Sequence, residues 1–192
     1  MSFITESQLA NYRSKTKTFS ADNIVSLNES HSRDYNRPMI FLSHKHDEHS
    51  ILQDVIAFLK KEGVDVYVDW MDPSMPAYTN AETAHKLKNK IKVSDKFILL
   101  ATHAAINSKW CNWELGLGDA EKYIRDIALF PINKAHETFK GAEYLGIYPY
   151  IDFEDGSNNY SDGRNIPKGY YLRTKLKDKH TITPLKDWLK SK

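Results

Sequence analysis

One cysteine, Cys111, occurs in 192 residues, which excludes an internal disulfide framework. No apolar run approaches the roughly 20 residues a spanning helix needs, so no membrane segment is expected. The opening stretch, MSFITESQLANYRSKTKTF, holds no apolar run of signal-peptide length, and a cytoplasmic location is expected. Excess charge of one sign is missing as well. Lysine and arginine number 27 against 25 acidic residues, a net charge of +2, so no electrostatic case exists for a nucleic-acid partner. Glycine is scarce, and none lies between Gly63 and Gly116. Neither G-x-G-x-x-G after a strand nor G-x-x-x-x-G-K occurs, which excludes the usual phosphate-cradling loops. Gly116 and Gly118 fall inside a helical pattern and read as close packing against a neighbour.

What is present is 41% hydrophobic residues, enough for one core. Residues 1–37 are polar without a clear period and read as an N-terminal extension. After Pro38, Met39 to Leu42 form a short apolar run, a buried strand. Ile51, Val55, Phe58 and Leu59 fall at helical spacing, and that helix ends at Gly63. Val64, Val66 and Val68 alternate as a strand does. MDPSMPAYTN is a loop. Ala84, Leu87 and Ile91 mark a second helix, KFILLAT a buried strand, and SKWCNWELGLGDAE opens a third helix running to about Arg125. IALFPIN, residues 127–133, is a strand whose Pro131 predicts a position at or near a sheet edge. IYPYIDF, residues 147–153, is a further strand. Residues 154–192 read as a C-terminal extension, a polar loop and a lysine-rich tail ending in a short helix.

Alternating strands and helices predict an α/β fold, a doubly wound parallel sheet with helices on both faces, over residues 38–153. Ligands in such sheets bind beyond the carboxyl ends of the strands. Those ends are Ser43-His44-Lys45, Asp69-Trp70, Thr102-His103 and Asn133. SHKHDEHS, residues 43–50, raises the possibility of a metal held by His44, His46 and His49. The plainer reading is a polar loop in which Asp47 caps the following helix, and no metal and no cofactor are expected. Cys111 lacks a base placed by sequence and reads as a small buried hydrophobe rather than a nucleophile. Trp110 and Glu114 stand at i and i+4, so they share one helix face. Taken alone, that pair describes an amphipathic helix as well as a site.

A succession of blocks in order changes the weighting. IFLSHKHDEHSILQDVIAFLKKEGVDVYVDW, with Ser43 and Asp69 at its two strand ends, then IKVSDKFILLAT, then the S-x-W-C-x-x-E-L block at Ser108, together resemble the TIR domain family over about Met39 to Phe153. The resemblance implies a flavodoxin-like TIR fold flanked by the two extensions. In the enzymatic branch it implies NAD as the substrate rather than a cofactor, and Glu114 as the catalytic carboxylate with Trp110 beside it. The remaining expected substrate contacts are Ser43, His44, Lys45 toward phosphate, Asp69, and Trp70 and Tyr78 as rings able to stack. Among bacterial members the chain resembles the TIR proteins of Thoeris antiphage-defence systems. That implies a cyclic ADP-ribose-type signal acting on a downstream effector. Self-association through TIR surfaces is also implied, although the loop WMDPSMPAYTN lacks the glycine common there. The alternative is a non-catalytic TIR adaptor or effector acting by TIR–TIR binding.

Overall fold

The computed structural model describes residues 4–13, 36–75, 80–133, 143–176 and 179–191. Its strands are β1 Ile4–Thr5, β2 Met39–Ser43, β3 Asp65–Tyr67, β4 Lys96–Ala101, β5 Ile127–Asn133, β6 Tyr150–Glu154, β7 Gly169–Leu176 and β8 Lys179–Pro184. Its helices are α1 Glu6–Arg13, α2 His49–Lys61, α3 Ala81–Val93, α4 His103–Ile106, α5 Lys109–Glu121 and α6 Leu185–Lys190. The sheet runs β3-β2-β4-β5-β6-β7-β8, with β1 also paired to β5. From β3 to β6 every pairing is parallel. Omitting β1, these five strands follow the 2-1-3-4-5 order of flavodoxin-like folds, as expected. Among the described residues no helix is long and apolar enough to cross a membrane.

The period of two along each strand divides the core into halves. Ile40 and Leu42 of β2 and Ile98 and Leu100 of β4 face one side, with Leu52, Val55, Phe58 and Leu59 of α2. Phe41, Phe97 and Leu99 face the other, with Leu87 and Ile91 of α3 and Cys111 and Leu115 of α5. Strands buried on both faces must be apolar throughout, which is why KFILLA shows no alternation. Gly118 lets α5 lie against this layer. A Cβ there would stand 3.0 Å from the Phe97 ring, whereas one on Gly116 would meet nothing within 4 Å. The packing reading therefore holds for Gly118 and not for Gly116.

Two further readings change. β5 is an interior strand, between β4 and β6, not an edge. Its Leu129 N–H donates to Pro149 O, so the missing N–H of Pro131, two residues on, falls on the same β6 side. The β5–β6 ladder accordingly has a single register pair, Leu129↔Tyr150. Proline is tolerated because it truncates one ladder while Ala101↔Pro131 continues the other. The cap of α2 is Glu48, with no side-chain cap bond, and not Asp47. Asp47 is solvent-exposed and lies 3.7 Å from Lys45 Nζ.

The segments read as extensions share the core. Ile4 and Leu9 are fully buried and join the α2 half with Leu172, Leu185, Trp188 and Leu189. β7 and β8 form an antiparallel hairpin on β6. The fully buried Lys96, at the start of β4, donates to Asp126 at 2.5 Å and to Ser191 at 3.1 Å, tying the carboxyl-terminal residues to the sheet.

Candidate active site

β2 ends where α5 begins to cross it, and this meeting makes the site. Ser43 is the last residue of β2. Ser108 starts α5, its hydroxyl accepting from the Cys111 N–H at 3.4 Å. With that start fixed, Cys111, Glu114, Leu115 and Gly118 form the buried stripe of the helix. A carboxylate thus occupies a core position, 2% exposed, facing the strand ends. Ser43 Oγ donates to Glu114 Oε2 at 2.5 Å across 71 residues of sequence.

Burial pushes the Glu114 carboxyl up to about 8. The negative field of Asp69 adds to that, while the hydrogen bond from Ser43 and the neighbouring Trp110 side chain pull it back. The acid is therefore protonated in the folded chain through a range where the unfolded chain, near its ordinary 4.5, is ionised. The folded state holds the extra proton, so stability falls as pH rises between those values and levels off above about 8. Glu114→Gln removes that dependence. The variant is expected to gain on the wild type by on the order of 4 kcal/mol between about pH 5 and pH 8. Denaturant midpoints at the two pH values check this, and parallel curves would contradict it.

The other strand ends supply the surroundings. His44, 3% exposed, follows Ser43. Burial lowers its imidazole to about 4, against the partial support of Asp69 and of the Leu42 carbonyl, so the ring is neutral. Asp69 lies just beyond β3, with Oδ1 3.9 Å from His44 Nδ1 and Oδ2 3.7 Å from His46 Nε2. Trp70 is half-buried on the α2 side of the sheet, edge-on to the His49 ring at 5.1 Å. Its indole Nε1 is buried and has no hydrogen-bond partner among the described residues. On the α5 side, Trp110 stacks on Trp113 with centroids 4.7 Å apart.

Ser43 and Glu114 are thus joined by a hydrogen bond, while Trp110, one turn earlier on α5, and Asp69 act on the Glu114 carboxyl electrostatically. Lys45 turns instead toward Asp47 and keeps 39% of its side chain exposed. Tyr78 lies outside the described residues. Cys111 is 1% exposed, its S–H donates to His44 O at 3.2 Å, and burial raises its thiol to about 11. That is the environment of a packed small side chain, not of a thiolate nucleophile.

Sequence reasoning missed two contacts that shape the site. Thr102, which caps α4, also donates to Glu48 Oε2 at 2.6 Å and so pins the loop after β2 to the end of β4. Tyr67 donates to Asp72 at 2.9 Å, fixing the turn beyond β3. Burial alone would raise Asp72, but hydrogen bonds from Ser74, Tyr67 and Lys90 hold it at about 2. The first pairs residues 54 apart in sequence that the sheet brings together, whereas the second is a local contact across five residues.

The arrangement can hold a carboxyl in a sparingly wetted place, release its proton when a cation enters, and present it to a group that develops positive charge. A TIR domain family model matches residues 40–166 of the chain. The chain is also 28% identical over 166 residues, 79% of its length and 83% of the relative's, to a Bacillus cereus protein described as a probable 3′ cyclic ADP-D-ribose synthase, ThsB′.

Proposed function

The chain belongs to the TIR domain family, and on that premise we propose that it cleaves NAD, releases nicotinamide and makes a cyclic ADP-ribose-type signal in bacterial antiphage defence. The observation that carries the reading is the buried Glu114, hydrogen-bonded to Ser43 at the carboxyl end of β2. The likeness to a probable 3′ cyclic ADP-D-ribose synthase supports the product class. The signal would reach a partner effector by diffusion, in the cytoplasm, with self-association through TIR surfaces as a second kind of contact.

The chemistry follows from the substrate. NAD already carries a cationic leaving group. The bond from ribose C1′ to the pyridinium nitrogen breaks, its electron pair passes to the ring, and neutral nicotinamide departs. The ribose passes through an oxocarbenium-like state. Glu114, ionised as the cation settles against it, accepts hydrogen bonds from the ribose hydroxyls and stabilises the positive charge. Ser43 keeps its hydroxyl on the carboxylate and fixes the oxygen's position. Trp110, Trp70 and Tyr78 supply flat surfaces for the rings. His44, Asp69 and Lys45 contribute polar contacts, Lys45 by turning from Asp47 to a phosphate. A nucleophile within ADP-ribose then attacks C1′; a hydroxyl nucleophile gives its proton to solvent or to Glu114. Exclusion of water favours this ring closure over hydrolysis. No metal or other cofactor enters these steps.

The pH dependence tests the assignment. The free enzyme holds Glu114 as the acid until about pH 8, and catalysis uses the carboxylate. Accordingly, kcat/KM is expected to rise with pH and flatten above about 8. In the complex the substrate's positive charge favours the carboxylate, so the limb in kcat lies at lower pH. Initial rates of nicotinamide release across buffers check this. A kcat/KM that is flat through that range would contradict the role of Glu114.

A further inference from the structure

The loop after β2 and the turn after β3 bring together three metal-binding side chains that NAD cleavage does not require as a set. One nitrogen of His44, one of His46 and one oxygen of Asp69 lie within 4.8 Å of one another. His44 and His46 stand two apart where the chain turns beyond β2. Their rings lie nearly parallel, 10° apart with centroids at 5.7 Å. Asp69 turns one oxygen to each ring, at 3.9 Å and 3.7 Å.

These gaps are too long for hydrogen bonds. They are close to the ~3.3 Å that separates neighbouring ligand atoms around a tetrahedral ion with metal–ligand bonds of about 2.0–2.1 Å. Taken with one ligand atom from each residue, the set lies within 4.8 Å and must draw in by up to about 1.5 Å around a single ion. His44 can shift at little expense. Among the described residues its Nε2 has no hydrogen-bond partner, and the Nδ1 that faces Asp69 has a long contact to Leu42 O, 3.3 Å. His46 is the opposite case: 55% of its side chain is exposed, so an ion can arrive from solvent and keep a water as fourth ligand.

We propose that His44, His46 and Asp69 form a binding site for a borderline divalent transition metal of the Zn²⁺ class, and that an ion there closes the substrate pocket. Two imidazoles with one carboxylate suit such ions, whereas Mg²⁺ and Ca²⁺ prefer oxygen donors throughout. Asp69 is near enough to Glu114 for its charge to act on that carboxyl. A divalent ion on Asp69 would place its own positive charge beside the spot the nicotinamide cation must enter. It would also remove His44 and Asp69 as substrate contacts. The inhibitory half of the proposal rests on the NAD-cleaving reading; the binding half does not.

Zn²⁺ titrated by calorimetry into the chelator-treated full chain separates the two. One saturable ion per chain is expected. His46→Ala and Asp69→Asn should each weaken it at least about tenfold, and His85→Ala, on the exposed face of α3, should leave it unchanged. Mg²⁺ should not compete. Because His46 is solvent-exposed and outside the catalytic contacts, His46→Ala should fold normally and keep its basal NAD cleavage. Equal Zn²⁺ binding by His46→Ala and wild type, or no saturable ion at all, overturns the site whatever the enzyme does. In the activity arm, Zn²⁺ should depress wild-type turnover at least about tenfold and spare His46→Ala. Zn²⁺ bound at the site without any loss of turnover overturns the inhibition alone.

Discussion

Glu114→Gln is expected to abolish NAD cleavage, lowering kcat by roughly 10³-fold or more, while leaving the chain folded. The substitution keeps the shape and the neutral hydrogen bond to Ser43, which already lies at 2.5 Å with the acid protonated. It removes the one feature the transition state requires, a negative charge that appears when the pyridinium arrives. Since a neutral Gln is no worse buried than a neutral acid, loss of activity cannot come from unfolding at neutral pH. Nicotinamide release and a thermal unfolding curve on the same preparation check both halves. Undiminished turnover would sink the enzyme assignment and favour a TIR module that acts by binding.

The second large effect lies far from the site. Arg173→Met in β7 is expected to destabilise the fold by about 3 kcal/mol, some 6–12 °C in Tm for a domain of this size. Arg173 Nε donates to Asp152 Oδ2 at 2.6 Å and its Nη2 to Glu154 Oε2 at 2.9 Å. Those carboxylates are 0% and 1% exposed, on β6, so removing the arginine strands two acids in the core. Asn158 and the backbone N–H of Gly156 still serve Glu154, and the Phe153 N–H still serves Asp152. Asp152→Asn in the Arg173→Met background should therefore recover much of the loss. An unchanged Tm for Arg173→Met would mean that the β7–β8 hairpin is dispensable to the sheet.

That arginine also marks where sequence reading stopped. The parallel half of the sheet was legible because IFL and FILLA are unbroken apolar runs, Val64, Val66 and Val68 alternate, and α2 and α3 carry apolar residues at a helical period. The carboxyl-terminal hairpin was not. GYYLRTKL mixes lysine, arginine and tyrosine, and only a partner 21 residues away turns Arg173 from a solvated charge into a buried one. Pro131 misled for a related reason: the rule that sends proline to sheet edges concerns one missing donor. β5 satisfies it in the sheet interior by cutting short its β6 ladder. In the site, Trp110 and Glu114 could be placed on one helix face from their spacing. That Glu114 would bond Ser43 needed the fold, and so did the approach of Asp69 to His44 and His46, which follows from β3 pairing beside β2.

The most direct test of the central claim is to incubate the purified full chain with NAD, alone and with extract of phage-infected cells as trigger, and identify products by mass spectrometry and NMR. Nicotinamide and a cyclic ADP-ribose isomer in equal amounts are predicted from wild type, and neither from Glu114→Gln. NAD left intact under the triggered condition, or the same products from both proteins, would contradict the account.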